Sequence, residues 1–316
     1  MSEIQAVVVD PEAPGRLALA AVEGPTPLPS EALVRVAAVS LNRGEIRRAA
    51  LAEPGWRPGW DIAGTVEQAA ADGSGPTAGT RVVGTLPVAA WAELVAVPTR
   101  ALAELPEEVS FVQAATLPIA GLTALVALEK YGGLLLGRSV LITGASGGVG
   151  HFAVQLAKAS GARVVGLIRQ SRGEGLVREA GADEVAIGED ATSAAPFGPY
   201  DHIVDSVGGA TLGTALGLLA PDGVAVNFGP TGGTTTSLDV PRFYGTGGLR
   251  LHGLIIFHEL ERQPAGVGLA RLVRLVADGR LRPHVEVEAP WTEIGAIAQR
   301  LNDRAYTGKA VLHVGR

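Results

Sequence analysis

Between Ile4 and about Pro106 the apolar residues come in short alternating or β-branched runs, Leu33–Val39, Gly64–Glu67, Thr80–Gly84 and Ala92–Val97 among them, separated by Pro and Gly. Period-two runs with that punctuation predict short strands in a small, irregular β-rich domain. From Phe111 to Leu128 the spacing turns helical. Leu117-Pro118 inside this run predicts a kink or a break between two helices, because proline lacks an amide donor and clashes with the preceding turn.

From Ser139 onward two patterns alternate. Ser139–Thr143, Arg163–Ile168, Glu184–Ile187, Asp201–Val207, Gly223–Phe228 and Leu251–Ile256 read as strands, with Val149–Ala159, Gly173–Ala180 and Leu212–Leu219 as helices between them. Apolar strands separated by helices predict a parallel sheet covered on both faces, a doubly wound α/β domain. The tail holds a helix (Leu269–Ala277), a short strand (Val285–Val287), a second helix (Ile294–Asn302) and a last strand (Ala310–Val314). It is too short for a core of its own and is expected to pack back on the first domain. The expected division is 1–117, 118–258, and 259–316 completing the first part.

Length supports two cores, since 316 residues exceed the roughly 250–300 at which a single core stops growing. With 47% hydrophobic and 18% charged residues, the chain lies far from the composition of disorder. A net charge of −6 offers no field for a polyanion and argues against nucleic acid as a partner. There is no cysteine, which removes disulfides, thiolate zinc sites and a cysteine nucleophile together. The six histidines show no clustered, metal-ligand spacing. The N-terminus, Met1-Ser2-Glu3-Ile4-Gln5, has no basic segment followed by an apolar one, and no stretch reaches the roughly 20 apolar residues of a membrane helix. The expectation is a cytoplasmic protein without a membrane partner.

The chemistry-bearing motif is Val140-Leu141-Ile142-Thr143-Gly144-Ala145-Ser146-Gly147-Gly148-Val149-Gly150, an apolar strand running into a glycine cluster that opens a helix. Glycines allow a tight turn and a close approach of backbone amides to a pyrophosphate, whose charge the helix N-terminus also favours. Ala145 stands where a strict GxGxxG has its first glycine, but the flanking strand and helix make the reading specific. A dinucleotide is expected on Ser146, Gly147, Gly148 and Val149. Where NAD-specific folds carry an acidic residue at the end of the next strand, this chain reads Arg169-Gln170-Ser171-Arg172. Two guanidiniums and a hydroxyl suit a ribose 2′-phosphate, so Arg169, Ser171 and Arg172 predict NADPH.

The chain resembles the zinc-independent medium-chain dehydrogenase/reductase superfamily, in its NADPH quinone oxidoreductase and enoyl reductase branch. The matching stretches are Ser40-Leu41-Asn42, Pro58-Gly59-Trp60-Asp61-Ile62-Ala63-Gly64, Gly79-Thr80-Arg81-Val82-Val83-Gly84 and Ala115-Thr116-Leu117-Pro118-Ile119-Ala120-Gly121-Leu122-Thr123-Ala124, with the glycine motif, Asp205-Ser206-Val207-Gly208-Gly209 and Thr307-Gly308-Lys309-Ala310-Val311. The resemblance implies a GroES-like substrate domain built from both chain ends, a Rossmann domain between, and an active cleft where they meet. It also implies a homodimer joined through the edge of the Rossmann sheet near Leu251–Ile256. Asn42 and Thr123 then map beside the nicotinamide, Ser206 and Val207 onto the cofactor, and Phe228-Gly229 and Ile255-Ile256-Phe257 onto the frame of the ring.

The departures bear on catalysis. Asp61 occupies the neighbourhood of a histidine ligand of zinc-dependent relatives. Arg47 stands where many enoyl reductases carry a tyrosine, and Gly188 replaces another tyrosine of the cofactor pocket. Asn42, Arg47 and Thr123 are the catalytic candidates, with Glu45 and Tyr244 as further polar groups, each of which reads equally as solvated surface. Trp56 and Trp60 read as an aromatic wall for a flat substrate or as core. Hydride transfer to a conjugated acceptor, a quinone or an α,β-unsaturated carbonyl, is the expected reaction. An NADPH-binding protein without turnover and a natural-product tailoring reductase or cyclase stay open as alternatives.

Overall fold

In the computed structural model, which describes residues 3–315, the period-two runs near the N-terminus pair as strands. Met1 and Ser2, part of the segment read for targeting, and Arg316 lie outside the described residues. The strands β1 (Glu3–Val9) and β2 (Leu17–Glu23) form an antiparallel pair, followed by β3 (Glu31–Ser40), the helix α1 (Arg43–Leu51), β4 (Asp61–Gln68), β5 (Arg81–Thr85), β6 (Leu94–Pro98) and β7 (Leu102–Glu104). The helix α2 (Phe111–Ala115) ends before a π-type turn at Leu117–Gly121, and α3 (Leu122–Gly132) starts beyond it. Pro118 interrupts the helical ladder as expected. The amide of Ile119 donates instead to the buried Asp61 carboxylate at 3.0 Å.

Six strands then alternate with helices: β8 (Ser139–Thr143), α4 (Gly148–Ala159), β9 (Arg163–Ile168), α5 (Glu174–Glu179), β10 (Glu184–Ile187), β11 (Tyr200–Asp205), α6 (Gly209–Leu216), β12 (Leu219–Asn227), α7 (Val240–Thr246) and β13 (Arg250–Gly253). They form one parallel sheet in the order β10-β9-β8-β11-β12-β13. The chain closes with α8 (Ile256–Arg262), α9 (Ala265–Ala277), β14 (Val285–Pro290), α10 (Ile294–Asn302) and β15 (Lys309–His313).

Two compact units result, one running to Leu122 and resuming at Leu260, the other Thr123–Glu259. In the first, a seven-stranded sheet has the path β14-β15-β3-β4-β5-β7, with β6 paired to β3. The tail enters this unit because β15 adds antiparallel to β3, Val311 opposite Ser40. Ile294, Ile297, Ala298 and Leu301 of α10 share a core with Ile4, Val7 and Trp91. In the second unit Leu141, Val165, Ile203 and Ala225 pack with Leu212 and Leu216 of α6.

Several element boundaries differ from the sequence reading: the strand expected to reach Val207 ends at Asp205, and Leu219, expected to end a helix, opens β12. The last strand expected at Leu251–Ile256 stops at Gly253, and Ile256 already belongs to α8. Gly253 pairs with Asn227, the last residue of β12. Beyond that point the ladder has no partner to continue on.

Candidate functional site

Strand order locates the crevice of the Thr123–Glu259 unit. The chain leaves β8 for β9 and β10 on one side and returns to β11 on the other, so the order reverses between β8 and β11, where doubly wound sheets bind ligands at the strand C-termini. Thr143 ends β8 there, and Gly144 turns the chain with φ +61°. A Cβ at Gly150 would sit 2.3 Å from the Gly144 carbonyl oxygen, so α4 can start this close to the strand only with glycine. The amides of Gly148, Val149 and Gly150, in the first turn of the twelve-residue α4, have no acceptor within the helix. Gly147 at the N-cap brings no side chain to cap them. This arrangement fits a pyrophosphate.

Beside this turn lies the end of β9. Arg169, Gln170, Ser171 and Arg172 are exposed, and Ser171–Gly173 form a 3-10 turn. That turn packs on Ser146: a Cβ at Gly173 would lie 2.9 Å from the Ser146 Cβ. The fold therefore gathers Ser146, Gly147, Gly148 and Val149 with the Arg169–Arg172 segment on one rim of the sheet.

On the other side of the switch point sits a fully buried carboxylate, Asp205 at the end of β11. Oδ1 accepts from Thr143 Oγ1 (2.6 Å) and from Val207 N (3.3 Å), and Oδ2 from Gly208 N (2.9 Å) and Asn227 Nδ2 (2.6 Å). The Ser206 amide donates to Thr143 Oγ1 (3.1 Å) and its hydroxyl to the Thr143 carbonyl (3.2 Å). Phe228 is half-buried, with its amide on the Asp205 carbonyl at 3.0 Å. Gly229 approaches the Ser206 carbonyl so closely that a Cβ would lie 3.1 Å from it. Ser206, Val207, Phe228 and Gly229 thus share one neighbourhood. Ile255 is 71% exposed beyond the last strand, Phe257 is half-buried in α8, and Thr123 is buried in the first turn of α3. A polar recess of about 350 Å³, edged by Lys130, Arg138 and Arg250, opens at the opposite, N-terminal ends of these strands and does not coincide with the crevice.

The other unit buries a charged cluster. The register of β3 on β4 sets Ser40 opposite Asp61, and β15 alongside β3 brings in Lys309. Asp61 Oδ2 accepts from Ser40 Oγ (2.7 Å), Asn42 Nδ2 (2.7 Å) and Lys309 Nζ (3.5 Å). Lys309 also donates to Asn42 Oδ1 (2.6 Å) and to the Leu41 carbonyl (2.9 Å). Asn42 caps α1, and Glu45 Oε2 accepts from its amide (2.7 Å) and its Nδ2 (3.3 Å). Glu45 Oε1 is buried near the Trp60 main chain without a well-formed hydrogen bond. Burial, then the neighbouring Asp61 charge, push the Glu45 carboxyl well above the usual carboxylate range. Burial likewise disfavours the Lys309 ammonium, against the attraction of Asp61 and Glu45.

These contacts redistribute the roles expected of the candidates. Glu45 is core, not solvated surface. The Asn42 amide is committed at both ends to neighbours within its own unit. Arg47 is exposed, on the other face of α1 from Glu45, and Tyr244 is 72% exposed on α7. Trp60 is buried, its ring against Gly44 and its indole N–H on the Pro87 carbonyl (3.0 Å), whereas Trp56 lies half-buried under the Arg48 guanidinium. Lys309 and Asp205 were not singled out as site residues. Lys309 did carry a signal, being one of three lysines in a chain whose other cations are arginines. A compact ammonium fits a tight buried site that a planar guanidinium would not.

The comparisons agree with this architecture. Residues 28–107 match the family model of the alcohol dehydrogenase GroES-like domain, and residues 148–267 that of the zinc-binding dehydrogenases. The chain is 32% identical over 240 residues to a mouse protein named mitochondrial NAD(P)H oxidoreductase RTN4IP1, matched over 70% of this chain and 60% of that one. It thus spans well under two thirds of that relative's length. It is 34% identical over 225 residues to the chloroplastic quinone-oxidoreductase homolog of spinach, over 65% of this chain and 68% of that one. Among solved structures, a mycobacterial protein complexed with NADPH superposes with a TM-score of 0.88 at 27% identity, covering 98% of this chain and 99% of that one. On both family models and these relatives, the chain belongs to the medium-chain dehydrogenase/reductase superfamily, in its quinone oxidoreductase branch.

Proposed function

We propose that the chain is an NADPH-dependent oxidoreductase that works without zinc and passes hydride to a conjugated acceptor, a quinone or an α,β-unsaturated carbonyl. The observation that carries this reading is the switch point itself, where the uncapped first turn of α4 adjoins the exposed Arg169–Arg172 segment. Bound there, NADPH would supply the hydride. The residues of the chain bind and orient: the α4 amides receive the pyrophosphate, Arg169, Ser171 and Arg172 the 2′-phosphate, and the main chain of Ser206, Val207, Phe228 and Gly229 the nicotinamide end. Thr123, Ile255 and Phe257 are assigned to the same end through the family likeness. Asn42 enters as a rigid part of its unit, its amide being held by Lys309, Asp61 and Glu45.

Zinc independence is supported by ligand chemistry. The sequence contains no cysteine, and the Asp61 carboxylate already has an ammonium as neighbour, which would repel a divalent cation. Without a Lewis acid, an acceptor that spreads its own negative charge is the one reduced most readily. The exposed edge strand β13, with Leu251 47% exposed, supports a homodimer formed edge to edge. No helix among the described residues is long and apolar enough to cross a membrane, which is compatible with a cytoplasmic location.

NADPH oxidation followed at 340 nm against a panel of quinones, enones and aldehydes tests the assignment. Steady turnover with quinones or enones is expected. Tight NADPH binding without turnover on any acceptor, or turnover confined to simple aldehydes, would reject it.

A further inference from the structure

Asp205 is a buried anion whose four hydrogen-bond donors are all uncharged. Burying a carboxylate is costly unless it is fully hydrogen-bonded, and a negative charge beside a pyrophosphate site adds repulsion. Packing alone would be served by an apolar side chain or an amide. What only a carboxylate offers is acceptor capacity on both oxygens, and here each oxygen takes two donors.

Those donors come from the ends of three strands. Thr143 closes β8, Val207 and Gly208 follow β11, and Asn227 closes β12. Because the Thr143 hydroxyl must give its proton to Asp205, it can only accept from the Ser206 amide, and the bond is present at 3.1 Å. The restraint passes onward through Asn227, whose Nδ2 also donates to the Gly229 carbonyl at 3.1 Å. We propose that Asp205 is a positioning residue for the dinucleotide: it ties β8, β11 and β12 together across the switch point and thereby sets the Ser206–Gly208 and Phe228–Gly229 main chain that receives the nicotinamide half. This rests on the cofactor site assigned above.

The test is Asp205→Asn, which preserves size but points an N–H₂ at two donors. Calorimetric binding to NADPH and to 2′,5′-ADP, a fragment that reaches the Arg169–Arg172 rim and the α4 amides but lacks the nicotinamide half, separates positioning from general damage. Loss of a charge-assisted hydrogen bond should weaken NADPH at least about tenfold while 2′,5′-ADP binds as to the wild type. Thr143→Val, which removes one of the four donors, should show the same selectivity more weakly and serves where the asparagine variant does not fold. Unchanged NADPH affinity in both variants, or equal weakening of both ligands, overturns the proposal. Gly147→Leu, whose side chain would occupy the pyrophosphate position, checks the cofactor site separately. Wild-type NADPH affinity in that variant removes the site and the role of Asp205 with it. Loss of binding there, with affinity intact in Asp205→Asn, removes the role of Asp205 alone.

Discussion

The Lys309 ammonium donates a 2.6 Å hydrogen bond to the Asn42 carboxamide oxygen, joining residues 267 positions apart. The same carboxamide donates to Asp61 and Glu45, so its two ends are held by groups of opposite charge. A flipped amide would face an ammonium with its N–H₂ and the Asp61 carboxylate with its oxygen. The orientation is therefore fixed electrostatically as well as by packing.

Removing the cation should be severe. Lys309→Met leaves the Asp61 carboxylate buried without its ammonium, and breaking a buried pair in this way costs about 3 kcal/mol or more. Lys309→Met combined with Asp61→Asn should recover much of that loss, since position 61 then no longer carries a charge without its cation. Chemical denaturation of both variants reads the difference. Equal destabilisation of the single and double variants would show that lost packing, not charge, accounts for the cost.

Glu45 predicts a pH dependence of stability. Its folded-state pKa lies well above the reference value of 4.5, so its contribution is fully present below that value and is lost as pH rises through the folded pKa. In Glu45→Gln this loss is absent, and the variant should gain on the wild type as pH is raised from about 4.5. Denaturation midpoints across that range measure it. A difference that stays flat with pH contradicts the assignment.

His202 acts on the acid side. It is almost fully buried, with Nε2 on the Ala127 carbonyl at 3.0 Å, and burial lowers its pKa from 6.5 to about 4. A depressed value means stability present above pH 6.5 and lost as pH falls through about 4, roughly 3 kcal/mol in all. His202→Gln should lack this loss, so melting curves of the two proteins should converge or cross on acidification.

In the proposed reading, cofactor choice depends on the rim of β9. Arg169→Ala and Arg172→Ala should each weaken NADPH severalfold and leave NADH nearly unchanged, because only the former carries the 2′-phosphate that a guanidinium pairs with. Paired titrations with the two cofactors decide this. An unchanged affinity ratio in both variants would place the phosphate contact elsewhere.

The alternating strands and helices, the glycine turn and the helix break at Pro118 were legible because each is written in neighbouring residues: a side-chain period, a φ that glycine accepts, a missing amide. The basic segment after β9 was legible for the same reason. Other features misled or stayed silent. Glu45 read as a polar group of the cleft or as solvated surface, because a polar residue early in a helix ordinarily faces a wet environment, and it is buried in the core instead. The strand expected at Leu251–Ile256 looked three residues longer than its partner allows.

Sequence by itself thus determined the class of fold, the glycine turn between β8 and α4 and the basic character of the segment beside it. Tertiary structure alone decided that Lys309, Asp61, Glu45 and Asn42 meet, and that Asp205 ties three strand ends together. The physical reason is register. Which residue of β15 or β4 lies against β3, and which strand ends adjoin at a switch point, follows from pairing between segments distant in the chain, and no local pattern carries that information.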